Sequence, residues 1–217
     1  MTLDQRILPL FPLNTVLFPY ASLPLQVFEE RYKTMLRDCL GADSRFGVAL
    51  IKSGAEVGGP AVPHSVGTVA QIVQVNPADQ GRLFVSVYGV QRFRIQEVTQ
   101  QEPYMAARVE LVEEGEGTPV PVARLKEVHE AFIRQVRLSL GLRGGWVGSA
   151  PVPRDPTAMS YYIATLFKLE LAEKQALLEE PSTASRLDTE LRLLRETSET
   201  LKARVAEELG LKRFSLQ

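Results

Sequence analysis

The chain has 217 residues, 45% hydrophobic and 24% charged, the balance of a soluble globular protein with room for one large domain or two small ones. Collagen-like, mucin-like and wholly disordered chains are excluded. Twenty-five Lys and Arg against 26 Asp and Glu give a net charge of −1, so no global field draws the protein to nucleic acid or anionic lipid. The single cysteine, Cys39, rules out an intramolecular disulfide and a multi-cysteine zinc site, and it suits a reducing, cytoplasmic setting.

The amino terminus has no basic n-region, apolar h-region or small-residue cleavage site, so no secretory signal is expected. No run approaches the roughly 20 apolar residues that a membrane-spanning helix needs. Pro9, Pro12, Pro19 and Pro24 each delete a backbone donor, so the strand they occupy must lie at an edge or be repeatedly interrupted. Leu8, Leu10, Leu13, Leu17 and Phe18 supply its core anchors.

A helix follows over about Phe28–Leu40, with Phe28, Tyr32, Met35, Leu36 and Cys39 on one stripe and Gly41 as its stop. Glu29 and Arg31 at its start can form a hydrogen-bonded pair that fixes it to the barrel, or remain surface charges. Residues 55–64 are a long, proline-broken loop, either a binding edge or a connection. Strands are predicted over Phe46–Ile51, Val66–Val75, Arg82–Tyr88, Gln91–Val98 and Tyr104–Glu113. Leu83, Val85 and Val87 share one face, and Phe93 with Ile95 face opposite Arg92 and Arg94. Gly89 marks a tight hairpin over Tyr88–Gln91. A strand-rich, partly closed barrel with one inserted helix is the economical architecture.

A Gly/Pro-rich stretch, Gly115–Pro121, sets the main boundary, dividing residues 1–118 from a helical half over 119–217. The spacing of Val122, Leu125, Val128, Phe132, Val136 and Leu140 predicts a helix ending at Gly141. Asp155 caps the next, with Pro156 in its first turn and Met159, Tyr162, Ile163 and Leu166 as its buried stripe. A short helix spans Glu170–Glu180. Ser182 or Thr183 then caps a final one that reaches Leu209 and stops at Gly210. Its seam, Leu187 to Leu209, either packs inside a helical bundle or pairs with a second chain.

Catalytic patterns are missing from the sequence. It has no phosphate-loop motif, no Gly-x-Ser-x-Gly elbow near His64 or His129, and no His or Cys spacing for zinc. Structural or surface roles are expected for both histidines. No enzyme activity, cofactor or metal is expected. Arg82, Arg92 and Arg94 lie on neighbouring predicted strands beside Phe84 and Tyr88, and a basic strip there is the alternative, RNA-binding reading. The loop Leu142–Gly148 sets the only tryptophan among glycines, so Leu142, Trp146 and Val147 are the candidate partner-binding residues. Trp146 is either a recognition tip or a plug at the junction of the halves.

Residues 7–36, running Ile-Leu-Pro-Leu-Phe-Pro-Leu-Asn-Thr-Val-Leu-Phe-Pro and then Leu-Pro-Leu-Gln-Val-Phe-Glu-Glu-Arg-Tyr-Lys-Thr-Met-Leu, resemble the opening of the amino-terminal domain of the Lon protease. The similarity continues through Phe46–Ile51, Val66–Ile72, Gly81–Leu83, Gly89–Ile95, Lys174–Glu179 and Pro181–Leu194, covering most of the chain. The resemblance implies an α+β fold: a PUA-like pseudo-β-barrel with one inserted helix, followed by a helical subdomain. It also implies a stand-alone substrate-recognition module without the ATPase and peptidase parts. Such a module binds unfolded or hydrophobic polypeptide, as an adaptor or holding factor beside a protease or chaperone, with no membrane partner.

Overall fold

The computed structural model describes residues 5–114, 119–141 and 151–214. Among the described residues the protein is a mixed α/β chain of seven strands and five α-helices, in which one sheet, largely antiparallel, takes up all seven strands. The strands are β1 (Gln5–Leu13), β2 (Ser22–Val27), β3 (Arg45–Gly54), β4 (Ala61–Pro63), β5 (Val66–Pro77), β6 (Leu83–Gln100) and β7 (Ala106–Val112). The helices are α1 (Glu30–Leu40), α2 (Val122–Gly141), α3 (Pro156–Leu166), α4 (Leu171–Glu179) and α5 (Thr183–Phe214). The chain divides into two compact units, residues 1–115 with 164–181, and residues 116–163 with 182–217. The expected division put everything after 118 in the helical half, whereas the segment carrying α4 returns to the strand unit.

In the strand unit the ladders form a ring. β1 pairs with β7, β7 with β6, β6 with β5, β5 with β3, and β3 with β1 in parallel. β1 achieves this by changing partner: Gln5–Pro9 pair with β7 and Leu10–Leu13 with β3. Each part of the strand is paired along one edge only, so Pro9 and Pro12 can omit a donor without breaking a ladder. Its alternation serves two cores. Phe11 and Leu13 join a cluster with Tyr32, Met35, Leu36 and Cys39 of α1, while Leu8 and Leu10 join Ala49, Val69, Phe93, Ala107 and Val109. Both faces of the sheet are therefore apolar, which accounts for the continuous burial of Phe46–Leu50 in β3.

The predicted hairpin at Tyr88–Gln91 does not exist. Leu83–Gln100 is one strand of 18 residues, and it bends through bulges: the register against β5 skips Val90, and against β7 it skips Gln96 and Thr99. Gly89 is required for close approach instead of a turn. Its N–H donates to Ala21 O, its carbonyl accepts from Tyr20 N, and a Cβ there would lie 2.2 Å from Phe18 O. Val85 and Val87 enter the cluster with α1, and beyond the bulge Phe93 enters the other. Phe28, expected on the stripe of α1, precedes that helix and is half exposed.

The helical unit begins with α2, which buries Val128, Phe132 and Ile133. Arg124 joins it to α5 through an ion pair with Asp188 at 3.1 Å, Glu127 pairs with Arg195, and Ser198 donates to Gln135 at 2.8 Å. Asp155 caps α3 as predicted, its Oδ1 accepting from Ala158 N at 2.8 Å. On α3, Met159 and Ile163 are buried as expected, Ser160 and Tyr161 are also fully buried, and Leu166 is exposed instead of buried. On α5, Ser182 Oγ accepts from Ser185 N, and Leu187, Leu191 and Leu194 are buried. The helix passes through Gly210, because the helix formers Leu211, Lys212 and Arg213 continue it.

Candidate functional site

The strand unit carries a strap over residues 54–60, between β3 and β4. Gly54 starts it at φ 98°, where a Cβ would meet Pro60 O at 2.3 Å, so only glycine closes this turn. Three charged side chains hold the strap down. Glu29 Oε2, at the entry to α1, accepts from Gly58 N at 3.2 Å and pairs with Arg31 at 3.0 Å. Arg31 donates to Gly59 O at 3.3 Å and Glu56 O at 3.5 Å, and its guanidinium lies 4.5 Å over the Tyr32 ring. Glu56 Oε2 accepts from Asn14 N at 3.1 Å. The Glu29–Arg31 pair thus fastens the loop to the start of α1.

A hollow opens on each side of the strap. The first, about 340 Å³, lies between the Phe11–Thr15 end of β1 and residues 23–29, with Tyr32, Glu56 and Val57 completing its walls. Leu23, Leu25, Phe28 and Val57 make it apolar. Its acidic residues are Glu29 and Glu56, and its lining holds no Lys or Arg. The second, about 550 Å³, is bounded by Arg31, Gly58–Ala61 and Gln101–Met105. There Tyr104 donates to Asp38 Oδ2 at 2.7 Å, and that bond, with burial, pushes its phenol up to about 12. Burial likewise raises the Tyr32 phenol.

Reactive chemistry is sparse at these hollows. Cys39 is buried in the core and its thiol is pushed up to about 12, chiefly by burial, which keeps it protonated and unreactive. Among the described residues no cluster of three or more His, Cys, Asp or Glu could hold a metal ion. His64 faces Glu179 at 3.5 Å across the strand unit.

The structure separates the three arginines of the predicted basic strip. Arg94 is exposed and Arg82 turns back on Asp79 O at 3.1 Å. Arg92 is only 1% exposed. It donates to Glu114 at 2.8 Å, to Leu178 O at 2.9 Å and to Glu180 O at 3.0 Å, so it neutralises an acid and satisfies the last carbonyls of α4. Strict alternation had placed it on an outer face with Arg94. It does lie opposite Phe93 as alternation requires, but the end of α4 docks over that face and puts it in the interior. Leu142, Trp146 and Val147 lie outside the described residues. Sequence reasoning singled out the 55–64 loop but missed Phe28 and Val57 as exposed apolar groups, 47% and 56% accessible. Phe28 was assigned to a buried stripe by its spacing, and nothing local marks where α1 actually begins.

Known proteins resemble this architecture over most of its length. A family model described as the ATP-dependent protease La (LON) substrate-binding domain matches residues 7–196. "Lon protease 2" of Myxococcus xanthus is 31% identical over 201 residues, covering 91% of this chain and 24% of that protein. "Lon protease 2" of Sorangium cellulosum is 29% identical over 95% of this chain and 27% of its own length. The chain therefore spans about a quarter of the curated relatives it matches. Among solved structures, the Lon N-terminal domain protein from Xanthomonas campestris superposes with a TM-score of 0.62 at 28% identity, covering 86% of this chain and 98% of that one. The N-terminal domain of the Mycobacterium avium complex Lon protease shares the fold, with a TM-score of 0.65 at 19% identity, over 88% and 98% of the two chains. Since the family model spans all but the ends of the sequence, the chain belongs to the LON substrate-binding domain family.

Proposed function

We propose that this protein is a non-catalytic module that captures unfolded or hydrophobic polypeptide, acting as a cytoplasmic adaptor or holding factor that presents clients to a protease or chaperone. The strand unit is read as a PUA-like pseudo-barrel, and the helices of the other unit as a bundle. One observation carries the reading: an open apolar hollow with acidic walls beside β2, in a chain whose family is described by substrate binding. Such a hollow offers dispersion and desolvation to an unfolded segment. Leu142, Trp146 and Val147 are proposed as a second apolar contact for the client.

The test is fluorescence anisotropy of a labelled, permanently unfolded polypeptide titrated with the protein at low and high salt, with single-stranded RNA as competitor. Apolar capture is expected to saturate, to persist at high salt and to resist RNA. Binding of RNA alone, falling steeply with salt as phosphate contacts release counterions, would overturn it. Loss of affinity in Trp146→Ala would place the second contact at that loop.

A further inference from the structure

The hollow beside β2 also indicates how a client would lie in it. β2 pairs with β6 along one edge, through Ser22–Val27 against Leu83–Tyr88, and among the described residues its other edge has no strand partner. Consecutive residues 23–28 line the first hollow, including Leu23 and Leu25 of one face and Pro24 and Gln26 of the other. A hollow above a strand's face meets every second residue; one that meets all of them runs along the edge. The direction of the backbone groups agrees. Ala21 O accepts from Gly89 N of β6 at 2.8 Å, so by alternation Leu23, Leu25 and Val27 bond to β6 while Ser22, Pro24 and Gln26 turn theirs to the open side. Pro24 fits this phase, since its missing N–H would have broken a bond to β6 had it faced inward.

Resting on the capture function proposed above, we propose that an extended segment of the client adds as a strand to the free edge of β2. Its apolar side chains sit against Leu25, Phe28 and Val57, and a Lys or Arg is set against Glu56. Charge complementarity selects this occupant: Glu29 is paired with Arg31, but Glu56 borders the hollow with its carboxylate held by Asn14 N, and the lining brings no Lys or Arg to it. Main-chain pairing gives affinity without regard to sequence, as capture of unfolded chains requires, and the side-chain pockets supply a preference. Pro24 offers a carbonyl but no donor to the middle of that edge. It limits the pairing to a short, reversible one and protects the edge against permanent sheet growth.

Strand addition makes demands that plain hydrophobic contact does not. A labelled strand-length peptide of alternating Val and Thr with one central Lys is titrated into the full chain, followed by anisotropy, with light scattering to record self-association. Methylating the peptide nitrogens of the edge that pairs with β2 is expected to weaken binding about fivefold for each bond lost, and methylating the opposite edge to leave it unchanged. Pro24→Val restores the missing donor and is expected to tighten binding about fivefold. Phe28→Ser, at an exposed position that does not threaten folding, is expected to weaken it about tenfold, and replacing the peptide's Lys with Glu at least threefold. Equal effects of the two methylations, or no response to Pro24→Val and Phe28→Ser while unfolded polypeptide still binds, would overturn strand addition and leave capture standing at another surface. Failure of any unfolded polypeptide to bind would overturn the capture function itself. Self-association of the unsubstituted chain that is lost in Phe28→Ser would assign the edge to a second copy and overturn the client assignment.

Discussion

Arg92 shows how one side chain reverses the meaning of a sequence pattern. Read as Arg-Phe-Arg in a strand, it is half of a charged outer face. In the fold its guanidinium bonds Glu114, Leu178 O and Glu180 O, with only 1% of its surface accessible. A planar fork can reach three acceptors in different directions, and a lysine ammonium cannot reproduce that geometry. Arg92→Lys is therefore expected to lower the stability of the strand unit by roughly 3 kcal/mol, since carbonyls and a carboxylate lose their donors in a desolvated setting. Urea unfolding followed by circular dichroism checks this, and a change within error would mean that α4 docks without the guanidinium. Nothing in the residues around position 92 announces this role, because its partners lie 22 to 88 positions away.

Elements were more legible than residues. Helix boundaries followed from caps that act within one turn, Asp155 on Ala158 N and Ser182 on Ser185 N; the structure adds a reciprocal capping box of Glu170 and Glu173 at the start of α4. Most strands were found where β-branched and aromatic residues cluster, but β4, over Ala61–Pro63, lies in a stretch read as a proline-broken loop. The error at β6 arose because glycine carries two meanings, a turn with positive φ or a place where another backbone passes close by, and sequence alone does not separate them. Gly89→Ala distinguishes the two physically. A hairpin glycine would tolerate alanine at modest cost, whereas a Cβ 2.2 Å from Phe18 O forces the 18–21 segment away from β6. The substitution is expected to destabilise the protein by at least about 2 kcal/mol. It should also raise hydrogen exchange at Gly89 N–H and Tyr20 N–H, whose bonds join these segments.

At the scale of the whole molecule each of the two units has its own buried polar device. In the helical unit Glu190 is fully buried; its Oε1 accepts from Ser160 at 3.0 Å, and Oε2 has no hydrogen-bond partner among the described residues. Arg186, one turn away on α5, donates to Ser160 Oγ and Thr183 Oγ1 and stacks 4.4 Å over Tyr161. Burial holds the Glu190 carboxyl well above its ordinary value of 4.5, against the smaller opposing pulls of Ser160 and Arg186. A carboxyl raised on folding binds its proton more tightly in the native state. Its contribution to stability is thus complete below pH 4.5 and is lost as pH rises through the folded value. Glu190→Gln retains an acceptor for Ser160 and does not titrate. The variant is expected to gain on the original protein as pH rises, seen as a melting-temperature difference that is larger at about pH 8 than at about pH 5. A difference that stays constant with pH would show that Glu190 is ionised in both states.

By itself the sequence determined a mixed α/β class, the positions of most strands and helices, the core anchors Leu8, Leu10, Leu13, Leu17 and Phe18, and the family, all of which rest on local periodicity, capping and short motifs. Only the tertiary structure decided the closure of β1 onto both β7 and β3, the bulged course of β6, the interior place of Arg92, the return of residues 164–181 to the strand unit, and the hollow between β1 and the edge of β2. These features depend on pairings and contacts between residues far apart in the chain. Loop closure and desolvation act on them through the assembled fold, and no neighbouring sequence encodes which distant partner a residue will meet.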